Sequence, residues 1–172
     1  MISSSSSDIA RRTARSQRTP PLQFAVVGLI AMMVLLIAIQ FVPYGRNHSN
    51  PPVLAEPAWN TAQTRTLFFR ACGDCHSNQT AWPWYSSVAP VSWLVQRDVQ
   101  EGRREFNVSE WGRPKNEADE AAETVQKDTM PPWFYIAMHP SAKLSSSERQ
   151  EFIAGLIATF GSERDHEGEG GE

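Results

Sequence analysis

The chain opens polar, rich in Ser and Arg, and then turns abruptly apolar. From Leu22 to Val42 every residue is hydrophobic or small except Gln23 and Gln40, one near each end. As a helix these 21 residues would measure about 31 Å, close to the hydrocarbon thickness of a bilayer. Pro21 and Pro43 bracket the run, where a helix tolerates a start and needs a stop. Arg11, Arg12, Arg15 and Arg18 precede it against a single acid, Asp8, so the pattern predicts a transmembrane anchor with a cytoplasmic N-terminus. A cleaved signal would have a shorter apolar region followed closely by its cleavage site, and Val53-Leu54-Ala55 lies well beyond the run.

Beyond the anchor the periodicity becomes that of short amphipathic helices. Asn60, with Gln63 three residues on, can cap a helix running to about Cys72 with Leu67, Phe68 and Ala71 inward. Pro90 suits the first turn of a second, whose stripe is Val91, Leu94, Val95, Val99, Gly102 and Phe106. Asn116 begins a third, with an Ala118/Ala121/Ala122/Val125 face. Ser145 and Glu148 form a capping box before Phe152, Ile153, Leu156, Ile157 and Phe160. No segment alternates like a half-buried strand, so the expected fold is all-α. Residues 77–89 and 129–144 read as irregular and need something to wrap around.

These patterns divide the chain. Residues 1–20 form a basic, Ser-rich cytoplasmic N-terminus, 21–43 the anchor, and 44–58 a Pro-rich spacer. Residues 59–160 form the soluble domain, and 161–172 a disordered acidic Gly-rich tail. Composition adds limits. With 41% hydrophobic residues among 172 the chain is not wholly disordered, and 16 Lys+Arg against 19 Asp+Glu supply no basic face for nucleic acid. Its 2 cysteines are too few for a disulfide scaffold.

Both cysteines fall in one motif, Cys72-Gly-Asp-Cys75-His76. Two thiols on one helical turn can each add to a haem vinyl group, and the imidazole of His76, four residues after Cys72, projects over the same face towards iron. A thioredoxin-like pair would sit beside a βαβ pattern, a zinc site would need further ligands, and a plain disulfide leaves His76 unexplained. One covalently attached haem c is the expected cofactor.

Cys72-Gly-Asp-Cys-His-Ser-Asn-Gln-Thr80, Trp82-Pro-Trp-Tyr-Ser86, Ala89-Pro-Val-Ser-Trp-Leu94 and Asp98-Val-Gln-Glu-Gly-Arg103 resemble the bacterial haem-binding domain proteins with a C-x-x-C-H motif. Phe106-Asn107-Val108-Ser109-Glu110-Trp111, Met130-Pro131, Tyr135 and His139-Pro-Ser-Ala-Lys-Leu144 extend the likeness over about residues 59–160. The resemblance implies a small c-type haem domain, secreted or membrane-anchored. Two departures stand out. The family usually has Leu-Asn-Phe-Ser where this chain reads Phe106-Asn-Val-Ser109, and it often has a glycine shortly before Met-Pro, where Asp128-Thr129 stand.

Iron also needs a sixth ligand or an open position. Met130, stiffened by Pro131 and Pro132, is the expected distal ligand, an arrangement similar to small cytochromes c. His139 is the alternative, with Met138 beside it, while His48 in the spacer and His166 in the tail are expected to be solvated. The 6 tryptophans suggest aromatic pocket walls, and Arg97, Arg103 and Arg104 either pair with propionates or line a solvated helix face. The expected fold is thus a small cytochrome c-like helical haem domain behind one transmembrane helix, in the bacterial inner membrane with the domain facing the periplasm. The expected role is one-electron transfer with redox partner proteins. A haem enzyme or gas sensor, such as a peroxidase-like module with an open or labile sixth position, is the alternative. A haem-delivery protein fits worse, because covalently held haem cannot leave.

Overall fold

The computed structural model describes residues 21–114 and 116–161, which divide into two units, Met1–Val42 and Pro43–Glu172. The basic N-terminal stretch and the tail beyond Gly161, with His166, lie outside the described residues. The first unit contributes one helix, α1 (Pro21–Ile39), ending three residues before the expected Val42, with the Gln40 side chain donating to the Leu36 carbonyl at 2.9 Å. Its side chains are exposed on every face, and the helix is long and apolar enough to cross a membrane.

Every regular element described in the second unit is helical, and the one extended pairing is an isolated parallel bridge between Ala55 and Glu110. Helix α2 (Ala62–Ala71) starts one residue later than expected. Thr61, in an extended conformation, accepts the Thr64 amide at 3.0 Å and caps it. A four-residue turn, α3 (Gly73–His76), comes next. Helix α4 spans Val91–Glu105, α5 spans Ala121–Gln126 behind a 3₁₀ turn at Ala118–Glu120, and α6 spans Trp133–Met138. Helix α7 (Ser146–Phe160) carries the expected capping box in full, Ser145 and Glu148 bonding reciprocally.

The core lies between α2, α5 and α7. Leu67, Phe68, Phe152 and Leu156 are fully buried there with Val108, Val125 and the small Ala118, Ala121 and Ala122. Gly155 lets α7 approach α2, since a Cβ on it would stand 2.2 Å from the Thr64 hydroxyl. Helix α4 corrects the expected stripe. It buries Ser92, Gln96, Val99 and Gly102 while Val91 and Leu94 are exposed. Close approach decides this rotation. The face inward is the one small enough to lie against Gly45 and the Cys72–His76 turn, where a Cβ on Gly45 or Gly102 would come within 2.6 Å of the Ser92 or Cys75 carbonyl oxygen.

The stretch expected as a spacer is tied down along much of its length. His48 stacks on Trp82 at 4.7 Å and its Nε2 meets the Ser86 carbonyl at 2.9 Å, so it is not simply solvated. Asn50 donates to the Thr80 carbonyl, the Leu54 amide to Ser109, and Glu56 takes a bidentate ion pair from Arg65 at 2.7 and 2.8 Å. A Pro-rich segment has little conformational entropy to lose, so such contacts fix it readily. Burial of the Glu56–Arg65 pair is slight, and the Arg65 hydrogen bond holds the carboxyl of Glu56 below its ordinary range.

Candidate functional site

Cys72 ends α2 and begins α3. Its amide still donates to the Phe68 carbonyl at 2.7 Å, while its own carbonyl accepts from Cys75 and His76 at 3.1 and 3.0 Å. The motif is therefore one tight turn on the end of a helix whose other face is core. The Ser77 hydroxyl, fully buried, donates to the Gly73 carbonyl at 2.6 Å and closes the turn. Arg103 anchors the chain on the far side of the turn by donating to the carbonyls of Ser77 and Ser49, to Asn50 Oδ1 and to Thr80 Oγ1. Asn78, Asn107 and Ser109 complete a buried network beside it.

Cys72, Cys75, His76 and Met130 line one cavity of about 390 Å³. Phe68, Phe106, Phe134 and Tyr135 give it aromatic walls, and Ala121, Val125 and Leu156 connect it to the core. Its size and mostly apolar lining suit a cofactor. No disulfide joins the two cysteines. Each thiol is crowded by protein yet open to the cavity, and burial pushes both up to about 12, so both stay protonated at neutral pH. Neutral thiols are sluggish in disulfide exchange. Among the described residues, moreover, no three or more His, Cys, Asp or Glu are grouped to hold a metal ion.

The His76 ring stacks on Phe106 with centroids 4.1 Å apart, and Nδ1 donates to the Phe106 carbonyl at 3.3 Å. Burial lowers its pKa to about 4, against the opposing pull of the Phe106 and Gly102 carbonyls. It is thus a neutral imidazole with Nδ1 committed, which leaves Nε2 as the nitrogen for a metal. Gly102 is a residue the helical pattern identified only as part of a stripe. Its missing side chain allows α4 to lie on the motif itself, a Cβ there being 2.6 Å from Cys75 O and 2.9 Å from Cys75 Cβ.

Met130 enters from a separate segment. The amides of Thr129 and Met130 both donate to the Thr124 carbonyl, at 3.0 and 3.2 Å, and hang the loop from the end of α5. Asp128, just before, has φ +56°, in the left-handed region, and belongs to the Asp128-Thr129 pair that stands where the resembled family often has a glycine. His139 does not line the cavity. Its Nδ1 donates to the Tyr135 carbonyl at 3.1 Å and its Nε2 accepts from the Tyr85 hydroxyl at 3.2 Å, so both nitrogens are occupied. Met138 is 58% exposed and is not among the lining residues either.

Other expectations are corrected. None of the tryptophans lines the cavity, whose aromatic walls are phenylalanines and Tyr135. Trp59 donates to Glu56 and Trp82 to Asn50, so these two bind the segment before α2, while Trp84 and Trp133 are exposed. For the arginines the solvated-face alternative holds in two of three, and none of them lines the cavity. Arg97 and Arg104 pair with Glu101 on the outer face of α4, Arg104 also with Glu105, and Arg103 is committed to the Ser77–Thr80 stretch. The polar wall is acidic instead, with Asp98, Glu101, Glu105, Glu117 and Glu120. Sequence reasoning also missed Asp74, whose carboxylate accepts the Tyr135 hydroxyl at 2.7 Å and the Ala81 amide at 2.8 Å.

The donor set fits a c-type haem chemically: two thiols for thioether bonds, a neutral imidazole, and a thioether sulfur, all on one apolar cavity. Comparison with known proteins points to haem binding. Cytochrome c peroxidase Ccp of Escherichia coli (strain K12) is 23% identical over 144 residues, covering 77% of this chain and 31% of that protein. The chain thus spans about a third of the length of the relative it matches. No solved structure matches. The model of the haem-binding domain family matches residues 34–157, well over half of the chain and the whole of the cavity-forming sequence, and the chain therefore belongs to the haem-binding domain family.

Proposed function

We propose that this chain is a membrane-tethered, one-electron-carrying c-type haem protein, with Cys72 and Cys75 as the thioether attachments, His76 as the proximal ligand and Met130 as the distal one. The observation that carries this reading is the shared cavity: the only two thiols of the chain, an imidazole with one nitrogen already committed, and a methionine sulfur border the same apolar space. Haem iron with both axial positions filled exchanges single electrons and offers no site to a substrate, and a methionine ligand raises its potential. The chain's own residues supply the rest. Phe106 fixes the tautomer of His76 through its carbonyl and the ring plane through its stack. Phe68, Phe134 and Tyr135 keep the cavity apolar, and covalent attachment retains the group in a small domain.

The arginines before α1 and its length support an anchor with the haem domain outside the cytoplasm, in the cell membrane of a bacterium. A tether of this kind keeps the carrier at high local concentration over membrane-bound redox proteins. A second reading, a peroxidase-like module with a labile sixth position, draws on the name of the relative. It is weaker, because His139, the obvious acid–base candidate, has both nitrogens engaged away from the cavity.

Purified holoprotein tests both. Haem that survives acidic acetone extraction, and is lost from Cys72→Ala/Cys75→Ala, supports covalent attachment. A low-spin ferric spectrum with a sulfur-to-iron charge-transfer band, abolished in Met130→Ala, supports the carrier. A high-spin spectrum with avid cyanide binding in the wild type supports the peroxidase-like reading and sinks this one.

A further inference from the structure

We propose that Tyr135 and Asp74 are a positioning pair that clamps the Met130 segment across the Cys72–His76 turn and so keeps the sixth iron position closed; this rests on the proposed His76/Met130 ligation. The need for a clamp is visible in the packing. Helix α6 buries no residue, Trp133 is 80% exposed, and Met130 and Pro131 border a second cavity of about 230 Å³ as well as the first. The rest of the polypeptide thus offers this segment little apolar contact, and polar links at its two ends position it. One end hangs on the Thr124 carbonyl. The other reaches the motif itself.

Tyr135 lines the cavity five residues after Met130, and its hydroxyl donates to Asp74 Oδ2 at 2.7 Å, the short geometry of a bond to a carboxylate. Asp74 stands between the two cysteines and is immobilised independently: Oδ1 accepts the Ala81 amide at 2.8 Å, and its carbonyl accepts the Thr80 hydroxyl at 2.6 Å. The Tyr135 ring is in turn stacked on His139 at 4.2 Å, which the Tyr85 hydroxyl holds in place. One hydrogen bond thus ties the distal segment to the very turn that carries the proximal histidine. Among the described residues it is the only hydrogen bond that joins α6 to α3.

The test uses the full-length holoprotein and compares wild type, Tyr135→Phe, Asp74→Asn and the double variant. Ferric cyanide affinity and the sulfur-to-iron charge-transfer band are the readouts, with haem stain and far-ultraviolet circular dichroism to establish attachment and folding. Tyr135→Phe keeps the ring and removes only the donor. It is expected to weaken the band and tighten cyanide binding roughly tenfold to a hundredfold, the population shift expected on loss of one charge-assisted bond. Asp74→Asn keeps an acceptor and gives a smaller shift in the same direction; in the Tyr135→Phe background it adds nothing further. A wild type with the band, whose Tyr135→Phe variant keeps both band and cyanide affinity within twofold, overturns the positioning role alone. A wild type lacking the band overturns the Met130 reading and this inference with it.

Discussion

The two walls of the cavity are built on opposite principles. The Cys72–His76 wall grows out of the core. Its turn caps a helix whose Leu67 and Phe68 are fully buried, α4 lies against it at a glycine, and Ser77, Asn78, Asn107 and Arg103 satisfy the polar groups that such burial creates. The other wall is formed by Met130, Pro131, Pro132, Phe134 and Tyr135 of the Met130–His139 segment, which has no buried helix residue and rests on a handful of hydrogen bonds. A wall of the first kind cannot shift without disturbing the whole domain, because close-packed interiors are not continuously deformable. A wall of the second kind can detach locally at small cost. The attachment proposed for Cys72 and Cys75 suits a wall of the first kind, and the ligand role proposed for Met130 depends on the hydrogen bonds that register its segment.

The sharpest way to break this contrast is at Gly102. Alanine there improves helix propensity by about 1 kcal/mol but puts its Cβ 2.6 Å from the Cys75 carbonyl oxygen, so either α4 or the motif turn must move. Overpacking against backbone should win. Gly102→Ala is expected to lose about 1–3 kcal/mol in urea unfolding and to lower the yield of covalently attached haem. Wild-type stability and full haem content would mean that the proximal wall yields as easily as the distal one.

Much of the Cys72–His76 wall was legible in the sequence, because its residues are adjacent in the chain. Cys72, Cys75 and His76 announce a turn by their spacing, and Ser145 with Glu148 announces the start of α7. Their surroundings were less legible. Period alone gave α4 a stripe that began with Val91, Leu94 and Val95 and went on to Val99 and Gly102; the structure keeps Val99 and Gly102 inward but buries Ser92 and Gln96 in place of Val91 and Leu94. Helix α6 was unreadable for a related reason: six residues between two prolines, with no capping signal and no buried face, leave neither periodicity nor punctuation to detect. The pairing of Asp74 with Tyr135 spans 61 positions and has no local signal at all. A tryptophan count suggested pocket walls, but tryptophan N–H groups seek partners, and here Trp59 and Trp82 find them on the segment before α2.

A smaller effect sharpens the contrast through pH. Glu148 accepts the Ser145 amide and the Arg70 guanidinium, and these hold its pKa down at about 2 from an ordinary 4.5, the backbone bond being the larger cause. Because the folded-state value is the lower one, its contribution is complete above about pH 4.5 and is lost as pH falls towards 2. Arg70 lies two residues before Cys72 on α2, so the acid limb reports on the proximal wall. Glu148→Gln should narrow the gap from wild type progressively as pH drops through that window, whereas a constant gap from pH 7 to pH 2 would assign the loss to packing of the new side chain.

The smallest effect is expected at Trp133, the most conspicuous residue of the Met130–His139 segment, which lines the smaller cavity and not the main one. Trp133 is 80% exposed at the first position of α6, and it is not part of the core cluster. Its neighbours are Phe134, at 5.9 Å between centroids and itself 47% exposed, and the lining of the smaller cavity. Truncating an indole in a core costs about 3–5 kcal/mol, but little apolar area is removed from water here. Trp133→Ala should therefore change urea stability by no more than about 0.5 kcal/mol. Cyanide affinity should also stay within twofold, because the segment is registered by the Tyr135 hydroxyl rather than by the indole. A loss of core magnitude at Trp133 would show that the distal wall is packed like the proximal one, and an exposed, hydrogen-bonded strap would no longer describe it.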